Sequence, residues 1–267
     1  MKKLFNIFLI FYSALLFSQD NPQVDSLENL LNTATGDMER VKILNELSRR
    51  YSRNEHEKAM TKAGEALALS EKISYTRGKI ISGYNIAIIL QYEGKYRDAL
   101  EKFLDALTLN ESYLKETGDP AADSLTIQIY NSIGNNFSLQ ERRDEGLEFY
   151  KKALIIAKEK EMGRFEATIL GNIGNIYYYK SYDYKHEKWD TAGLDTALWY
   201  FSEAVKLHIE KNDTVQMIAP MMNIALVQIE LGKTKEALDT LMKLKNISEK
   251  RNDISDLVYI NSNIAQA

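Results

Sequence analysis

Residues 85–107 read NIAIILQYEGKYRDALEKFLDAL, and this stretch decides the fold because the chain repeats it. Similar stretches occupy residues 130–154 (YNSIGNNFSLQERRDEGLEFYKKAL) and residues 221–244 (MMNIALVQIELGKTKEALDTLMKL). A further copy is split between NIGNIYYYKS at 172–181 and TALWYFSEAV at 196–205. Recurrence of one unit at a nearly fixed period indicates a solenoid, in which each unit covers the apolar face of the next.

The second half of each unit has the apolar spacing of a helix. Ala99, Phe103 and Ala106 follow the i, i+4, i+7 pattern, which places them on one helical face. The same slots hold Gly146, Tyr150 and Ala153; Ala197, Phe201 and Ala204; Ala237, Leu241 and Leu244; and, in a weaker copy, Ala59, Ala63 and Ala66. Antiparallel helices approach most closely where side chains are small. We therefore predict two-helix hairpins in which Gly134, Gly146 and Gly174 are packing positions rather than hinges.

These stretches resemble the tetratricopeptide repeat, a helix–turn–helix unit of about 34 residues. The resemblance covers the chain from about residue 40 to its end, although Ala59 and Ala99, like Ala197 and Ala237, are 40 residues apart. It implies an all-α fold, a right-handed α–α superhelix of about five two-helix repeats with an incomplete sixth. The predicted repeats are 39–76, 77–117, 122–161, 163–211 and 214–251, with a partial repeat at 254–267.

Two insertions lengthen the period, and we expect both to lie in loops. One falls in KETGDPAADS at 115–124, between two repeats, and the other in YDYKHEKWD at 182–190, inside a repeat. Insertions in repeat proteins map to loops that often border the binding surface. The spacing does not reveal the role of the insertion at 182–192.

The first residues of the chain differ in composition from the rest. Lys2 and Lys3 precede an apolar run over 4–17, and acidic residues begin at Asp20. This order predicts a secretory signal peptide over residues 1–19, cleaved near Ser18 or Gln19. The alternative is an N-terminal membrane anchor, but the run is short for a span of about 20 residues.

This leader predicts an exported protein, periplasmic or secreted, whose mature chain does not insert into a membrane. The residues FSQD at 17–20, which end the apolar run, resemble the end of the signal peptide in exported Bacteroidetes proteins. Residues 20–37 are expected to form a leading helix and linker, and residues 38–267 the tetratricopeptide solenoid.

Composition and motifs argue against several functional classes. The net charge of −4 gives no basic excess for nucleic acid, and the absence of cysteine excludes disulfides and thiolate chemistry. The G-K-T at 232–234 is not a phosphate loop, because Val227 stands where that motif requires glycine. His56, His186 and His208 have no partners at metal-ligand spacing. We therefore expect no catalysis, no cofactor and no metal.

The resemblance implies that the first helix of each repeat lines a concave groove that holds a protein or peptide segment. Carried onto this chain, the groove positions are Asn45, Arg49, Arg53, Tyr84, Tyr92, Asn131, Asn135, Asn175, Tyr178 and Tyr179. Asparagine can bond an extended backbone, and tyrosine offers an apolar ring with a polar tip. Asparagines such as Asn85, Asn172 and Asn223 can instead recur for structural reasons. The family's clamp for a terminal carboxylate is not expected, because Gln128 and Ser132 replace its basic pair.

The sequence thus predicts a non-catalytic scaffold that binds a protein or peptide segment and binds no nucleic acid. The alternative is the periplasmic sensor region of a truncated histidine kinase, nucleotide cyclase or helix-turn-helix regulator with tetratricopeptide repeats. In that case any kinase or cyclase activity would lie beyond Ala267. The residues after Asp253 restart the pattern without a second helix, which favours a fragment of a longer protein. Partner identity and oligomeric state remain open.

Overall fold

The structure of the protein, a computed structural model, describes residues 22–251 and 253–266. The predicted signal peptide lies outside these residues. Within them the chain forms twelve α-helices and one two-stranded ladder, and it divides after Met162 into two compact units. None of the helices in this part of the chain has the length and apolar character needed to cross a bilayer.

The first unit contains a leading helix and three helix pairs. Its elements are α1 (Pro22–Thr33), α2 (Asp37–Tyr51), α3 (His56–Lys72), α4 (Thr76–Tyr92), α5 (Tyr96–Thr117), α6 (Pro120–Leu139) and α7 (Arg143–Glu159). The pairs are α2 with α3, α4 with α5, and α6 with α7; α3 also packs on α4, and α5 on α6. Helix α1 contacts α2 and buries Leu31 against Leu44 and Leu47. Each pair therefore covers its neighbour, as the repeated sequence predicts.

The second unit continues the same design. Its elements are α8 (Gly163–Lys180), β1 (Tyr182–Asp183), β2 (Lys188–Trp189), α9 (Thr191–Glu210), α10 (Ile218–Glu230), α11 (Thr234–Lys250) and α12 (Ile254–Gln266). Helix α8 packs on α9, α9 on α10, α10 on α11, and α11 on α12. Ile218, Leu241, Leu244 and Ile260 are buried together where α10, α11 and α12 meet. Both units thus confirm the predicted all-α fold of consecutive helix pairs.

Small residues lie where the two helices of a pair cross. A Cβ atom on Gly134 would come within 2.6 Å of the Tyr150 ring, and one on Gly174 within 2.7 Å of the Phe201 ring. A Cβ atom on Gly146 would approach the carbonyl oxygen of Gly134 to 2.8 Å. Since ordinary contacts are longer, a larger residue at these positions would force the helices apart. The predicted packing role of the three glycines is confirmed.

Residues in the left-handed conformation end several helices. Gly94 follows α4 with φ of 75°, and Gly232 follows α10 with φ of 70°. Asn212 follows α9 with φ of 54°, and the Asp213 side chain accepts a hydrogen bond from the Gln216 N–H at 3.3 Å. Positive φ favours glycine and is tolerated by asparagine, so these residues stop one helix and allow the next to begin.

The two insertions depart from the loops that the sequence predicts. Only Gly118 and Asp119 separate α5 from α6, because Gly118 adopts a left-handed conformation and Asp119 caps the Ala121 N–H at 2.9 Å. The extra residues there lengthen helices rather than a linker. In the other insertion, Tyr182 pairs with Trp189 and Asp183 with Lys188 in a short antiparallel ladder. We call residues 182–189 the hairpin.

Candidate functional site

The first helices of the first unit share a surface on which the sequence predicts a binding groove. Helix α2 contacts α4, and α4 contacts α6. We call the surface that α2, α4 and α6 share the first-helix face. It carries Asn45, Arg49, Tyr84 and Asn131, so the structure brings predicted groove residues from three repeats onto adjacent helices.

Asn45 on this face is engaged by the next repeat. The side-chain N–H of Asn85 donates to the backbone oxygen of Asn45 at 3.0 Å and to its Oδ1 at 3.1 Å. The hydroxyl of Ser82 donates to the same Oδ1 at 3.1 Å. Asn45 and Asn85 are only 6% and 5% exposed. Their amides therefore join α2 to α4, which gives Asn45 a structural task.

The same kind of link recurs between other first helices. The further links join Tyr84 to Ser132 at 3.0 Å, Asn223 to Asn175 at 2.9 Å, and Asn263 to the sulfur of Met222 at 3.1 Å. In each link, including that of Asn85, the residue of the later helix bonds back to the preceding first helix. That residue stands two positions before a small residue, which is in turn Ala87, Gly134, Ala225 and Ala265. This observation supports the structural alternative for Asn85 and Asn223, and it shows that Asn175 belongs to the same scheme.

A cleft of about 230 Å³ opens between α2 and α4 on the first-helix face. Val41 and Ile81 form apolar parts of its wall, and Lys42, Glu46 and Arg49 form the charged part. Lys42 is exposed, and the side chain of Arg49 is 57% exposed. The cleft therefore combines an apolar wall with basic groups that water and a ligand can reach.

Glu46 organises the charges beside this cleft. Arg49 donates to both carboxylate oxygens of Glu46 at 2.8 and 2.5 Å, and Arg50 donates to Oε1 at 2.7 Å. Burial alone would raise the pKa of Glu46, but the hydrogen bonds from the two arginines outweigh it and lower the pKa. The hydrogen bonds that Arg49 donates to Glu46 in turn raise the pKa of Arg49. One carboxylate faces two guanidinium groups, so with Lys42 the wall keeps a positive charge.

The first-helix face continues beyond the cleft at Tyr84, Arg53 and Tyr92. Tyr84 is partly buried with its ring 5.8 Å from that of Phe103, and burial raises the pKa of its phenol. Tyr92 is 44% exposed and stacks on His56 at 6.3 Å, and His56 Nε2 lies 3.1 Å from the carbonyl oxygen of Arg53. The structure thus gathers Arg53 and Tyr92 at one end of the first-helix face.

The two predicted asparagines of α6 differ in their surroundings. Asn131 and Asn135 are both partly buried. The Oδ1 atom of Asn135 accepts a hydrogen bond from the Tyr150 hydroxyl at 2.6 Å. Asn135 is therefore committed to α7, the partner of its own pair, whereas Asn131 remains a candidate on the face.

In the second unit, two of the three predicted groove residues are buried. Asn175 is 9% exposed and bonded to Asn223, and Tyr178 is 3% exposed with its ring 4.9 Å from that of Trp189. Burial raises the pKa of Tyr178. Tyr179 is partly exposed and meets Tyr178 edge-on at 6.0 Å. The sequence interpretation missed the burial of Tyr178 because it treated the hairpin as a loop, and that of Asn175 because it did not foresee the bond from Asn223.

Sequence reasoning also overlooked Glu46, although its i, i+3 and i, i+4 spacing to Arg49 and Arg50 is a recognisable helical ion-pair signal.

Within the described ranges, no group of three or more histidine, aspartate or glutamate side chains is placed to hold a metal ion. The side chains described above offer a protein or peptide ligand charged groups, aromatic rings and amides as contacts.

Comparisons with known proteins identify the fold through structure. No protein-family model and no curated protein sequence matches the chain. The crystal structure of BtubC (BKLC) from P. vanneervenii is 17% identical, with a TM-score of 0.63 over 87% of this chain and 92% of that one. Rap protein complexed with competence and sporulation factor is 15% identical, with a TM-score of 0.63 over 91% and 68% of the two chains.

A signal transduction ATPase from Pyrococcus horikoshii, whose sensor consists of tetratricopeptide repeats, is also similar in structure. It is 14% identical, with a TM-score of 0.62, and the match covers 91% of this chain but 39% of that one. At such identities the likeness establishes the fold alone. Together with the helix pairs and their small crossing residues, it shows that this chain has an all-α repeat fold like that of tetratricopeptide-repeat proteins.

Proposed function

We propose that the protein is a non-catalytic scaffold that binds a protein or peptide segment on the first-helix face. The observation that carries this proposal is the cleft between α2 and α4, where exposed basic groups border an apolar wall. The amides of Asn45 and Asn85 hold the helices and are already bonded to each other. Recognition then rests on the accessible groups, Lys42 and Arg49, more than on the asparagines.

The charges of the cleft select an acidic partner. Arg49 shares Glu46 with Arg50 but keeps a largely exposed side chain, and Lys42 adds a second cation. A carboxylate placed between them would gain charge-assisted hydrogen bonds, which are stronger than neutral ones. Ile81, which is partly exposed, would contact an apolar neighbour of that carboxylate. An extended segment that alternates acidic and apolar residues fits this chemistry.

The similar structures support a binding role. Rap protein is seen complexed with competence and sporulation factor, and the P. horikoshii protein uses its repeats as a sensor. Both show this fold serving recognition in other proteins. We infer the same kind of use here, with the exposed charges of this chain setting the preference for an acidic segment.

A matched pair of peptides tests this function. The first is a short acetylated and amidated peptide that alternates glutamate with leucine, and the second replaces each glutamate by glutamine. Isothermal titration should show binding of the acidic peptide only, weakened by added salt. The double variant Lys42→Gln, Arg49→Gln should lose about tenfold in affinity. Lys115→Gln, at an exposed position of α5, is the control and should bind as the parent does. Equal binding of both peptides would contradict the proposal.

We further propose that the protein acts outside the cytoplasm. The support is the order of charge and apolarity in residues 1–19. Expression of the full chain in a Gram-negative host, followed by mass spectrometry of the periplasmic fraction, should show a mature N-terminus near Gln19 or Asp20. A full-length chain that stays with the cytoplasm or the inner membrane would reject export with cleavage.

A second candidate function is the sensor region of a larger signalling protein, as the sequence alternative states. The repeat sensor of the P. horikoshii signal transduction ATPase favours it, since the match covers only 39% of that longer chain. The reading frame after codon 267 distinguishes the two. Kinase, cyclase or helix-turn-helix motifs there would select the sensor, and a stop codon would select the stand-alone scaffold.

A further inference from the structure

The hairpin of the second unit builds a cluster of aromatic rings. Tyr182 meets Trp189 and Tyr184 at centroid distances of 4.8 Å each, with interplanar angles of 61° and 87°. Trp189 in turn lies 4.9 Å from Tyr178 of α8. Tyr184 is 67% exposed, Tyr182 and Trp189 are partly exposed, and Tyr178 is buried. The cluster therefore has a buried base and an accessible rim.

A carboxylate stands against this cluster. Glu230, the last residue of α10, lies beside this cluster, because Val227 and Leu231 at the same helix end pack with Tyr178 and Trp189, and its carboxylate interacts with both of those side chains. Burial raises the pKa of Glu230. No lysine or arginine in the described residues forms a salt bridge with it; the nearby Lys233 instead lies 3.9 Å from Asp195. Glu230 is thus a partly buried carboxylate without a cationic partner.

The position of Glu230 on its helix adds to the negative potential. It occupies the C-terminal end of α10, where the carbonyl groups of the last turn already carry partial negative charge. Aromatic ring faces are also negative and attract cations. A carboxylate, a helix C-terminus and several rings therefore converge on one place, and each of the three favours a positive charge.

We propose that Glu230, Trp189 and Tyr179, which lie next to the buried Tyr178, form a binding site for an organic cation, either an alkylammonium or a guanidinium group. The carboxylate would form the ion pair, and the rings would contact the cation and its aliphatic stem. The indole N–H of Trp189 would hold the carboxylate in place. This site lies within the second unit and does not depend on the first-helix face, so either proposal can fail without the other.

Tryptophan makes the site directly observable. The chain has two tryptophans, and Trp199 is 56% exposed on α9 against Tyr200, so Trp199→Phe leaves Trp189 as the single reporter. We would titrate this variant with Nα-acetyl-lysine amide, Nα-acetyl-arginine amide and tetramethylammonium. Nα-acetyl-glutamine amide serves as the neutral probe. Trp189 fluorescence and its indole N–H resonance in NMR are the readouts.

Saturable changes with the cations, and none with the neutral probe, are expected. Glu230→Gln in the same background should weaken cation binding at least tenfold while leaving the thermal melting curve intact, because burial disfavours the charged carboxylate. Glu210→Gln, at an exposed position of α9, is the matched control and should bind as the parent does. Absence of any response, or binding by Glu230→Gln equal to that of its parent, would overturn the proposal.

The probes also distinguish two sources of the cation. If a short peptide with one central lysine binds more tightly than Nα-acetyl-lysine amide, the natural group is a side chain of a polypeptide. If tetramethylammonium binds more tightly than both, it is a small quaternary amine. Either ranking supports the cation site, whereas tightest binding by the glutamine probe would reject it.

Discussion

The side chain of Asn85 is bonded to both oxygen atoms that Asn45 offers, its backbone carbonyl at 3.0 Å and its Oδ1 at 3.1 Å. The two residues are separated by one repeat period, and both are buried. Because an amide that leaves water must keep its hydrogen bonds, this contact fixes the register of α4 against α2 as well as their distance.

Replacing Asn85 by alanine should destabilise the first unit. The change removes the donor that Asn45 faces and leaves the backbone oxygen of Asn45 without that bond in a buried place. Loss of a buried hydrogen-bond partner costs about 1–3 kcal/mol. Urea unfolding followed by circular dichroism should show this decrease in the free energy of unfolding.

Asn32→Ala provides the control, because Asn32 is exposed on α1 and its removal should change stability by less than about 0.5 kcal/mol. If Asn85→Ala were as stable as this control, the link between α2 and α4 would carry no energy. The structural account of the asparagine positions would then fail.

The asparagine links show what the sequence could and could not reveal. Asn45 and Asn85 are 40 residues apart, which is the repeat period, and the recurrence of asparagine pointed to a structural alternative for Asn85, whereas Asn45 was assigned to the groove. Asn175 lies outside that slot, and only the geometry shows that it accepts the hydrogen bond of Asn223. Helical spacing identifies a face of one helix, but the partner across a joint depends on how two helices are offset.

The hairpin lay beyond sequence reasoning for a related reason. The four residues between its strands, Tyr184–Glu187, contain neither glycine nor asparagine, although Glu187 adopts a positive φ of 50°. The two strands of the hairpin pair where Trp189 contacts Tyr178, and no local sequence pattern predicts that packing contact. The fold itself was predictable because it rests on spacings that recur in every repeat.

Gly174 gives a second test, directed at the joint of α8 and α9. A methyl group there would lie 2.7 Å from the Phe201 ring, which is itself fully buried. Alanine normally stabilises a helix relative to glycine by about 1 kcal/mol. We expect overpacking to outweigh that gain, so that Gly174→Ala lowers the free energy of unfolding by about 1–3 kcal/mol.

Gly171 is a matched control on the same helix, because a Cβ atom there would meet nothing within 4 Å. Gly171→Ala should therefore be neutral or stabilising, by up to about 1 kcal/mol. Thermal melts of both variants, with Gly174→Ala also measured together with Phe201→Leu, would show whether the ring causes the loss. Equal effects of the two alanines would contradict a packing role for Gly174.

His208 places a titratable group inside the second unit. It is 3% exposed on α9, and its Nδ1 atom has no hydrogen-bond partner among the described residues. Burial lowers the pKa of His208; Asp213 opposes this shift, and Arg164 adds to it. Arg164 and Asp213 lie 3.5 Å apart, so the two charges near the ring are opposite and act against each other.

We therefore expect acid to destabilise the protein through His208. The unfolded chain binds the proton at a pKa near 6.5, whereas the folded ring binds it only at lower pH. The stabilisation is complete above pH 6.5 and is lost as the pH falls through the folded pKa, with a slope of at most about 1.4 kcal/mol per pH unit. Urea unfolding at a series of pH values should show a shallower acid slope for His208→Gln than for the parent. His56→Gln, at a partly exposed position of α3, serves as the control. Parallel slopes for the parent and His208→Gln would mean that the ring is protonated equally in both states.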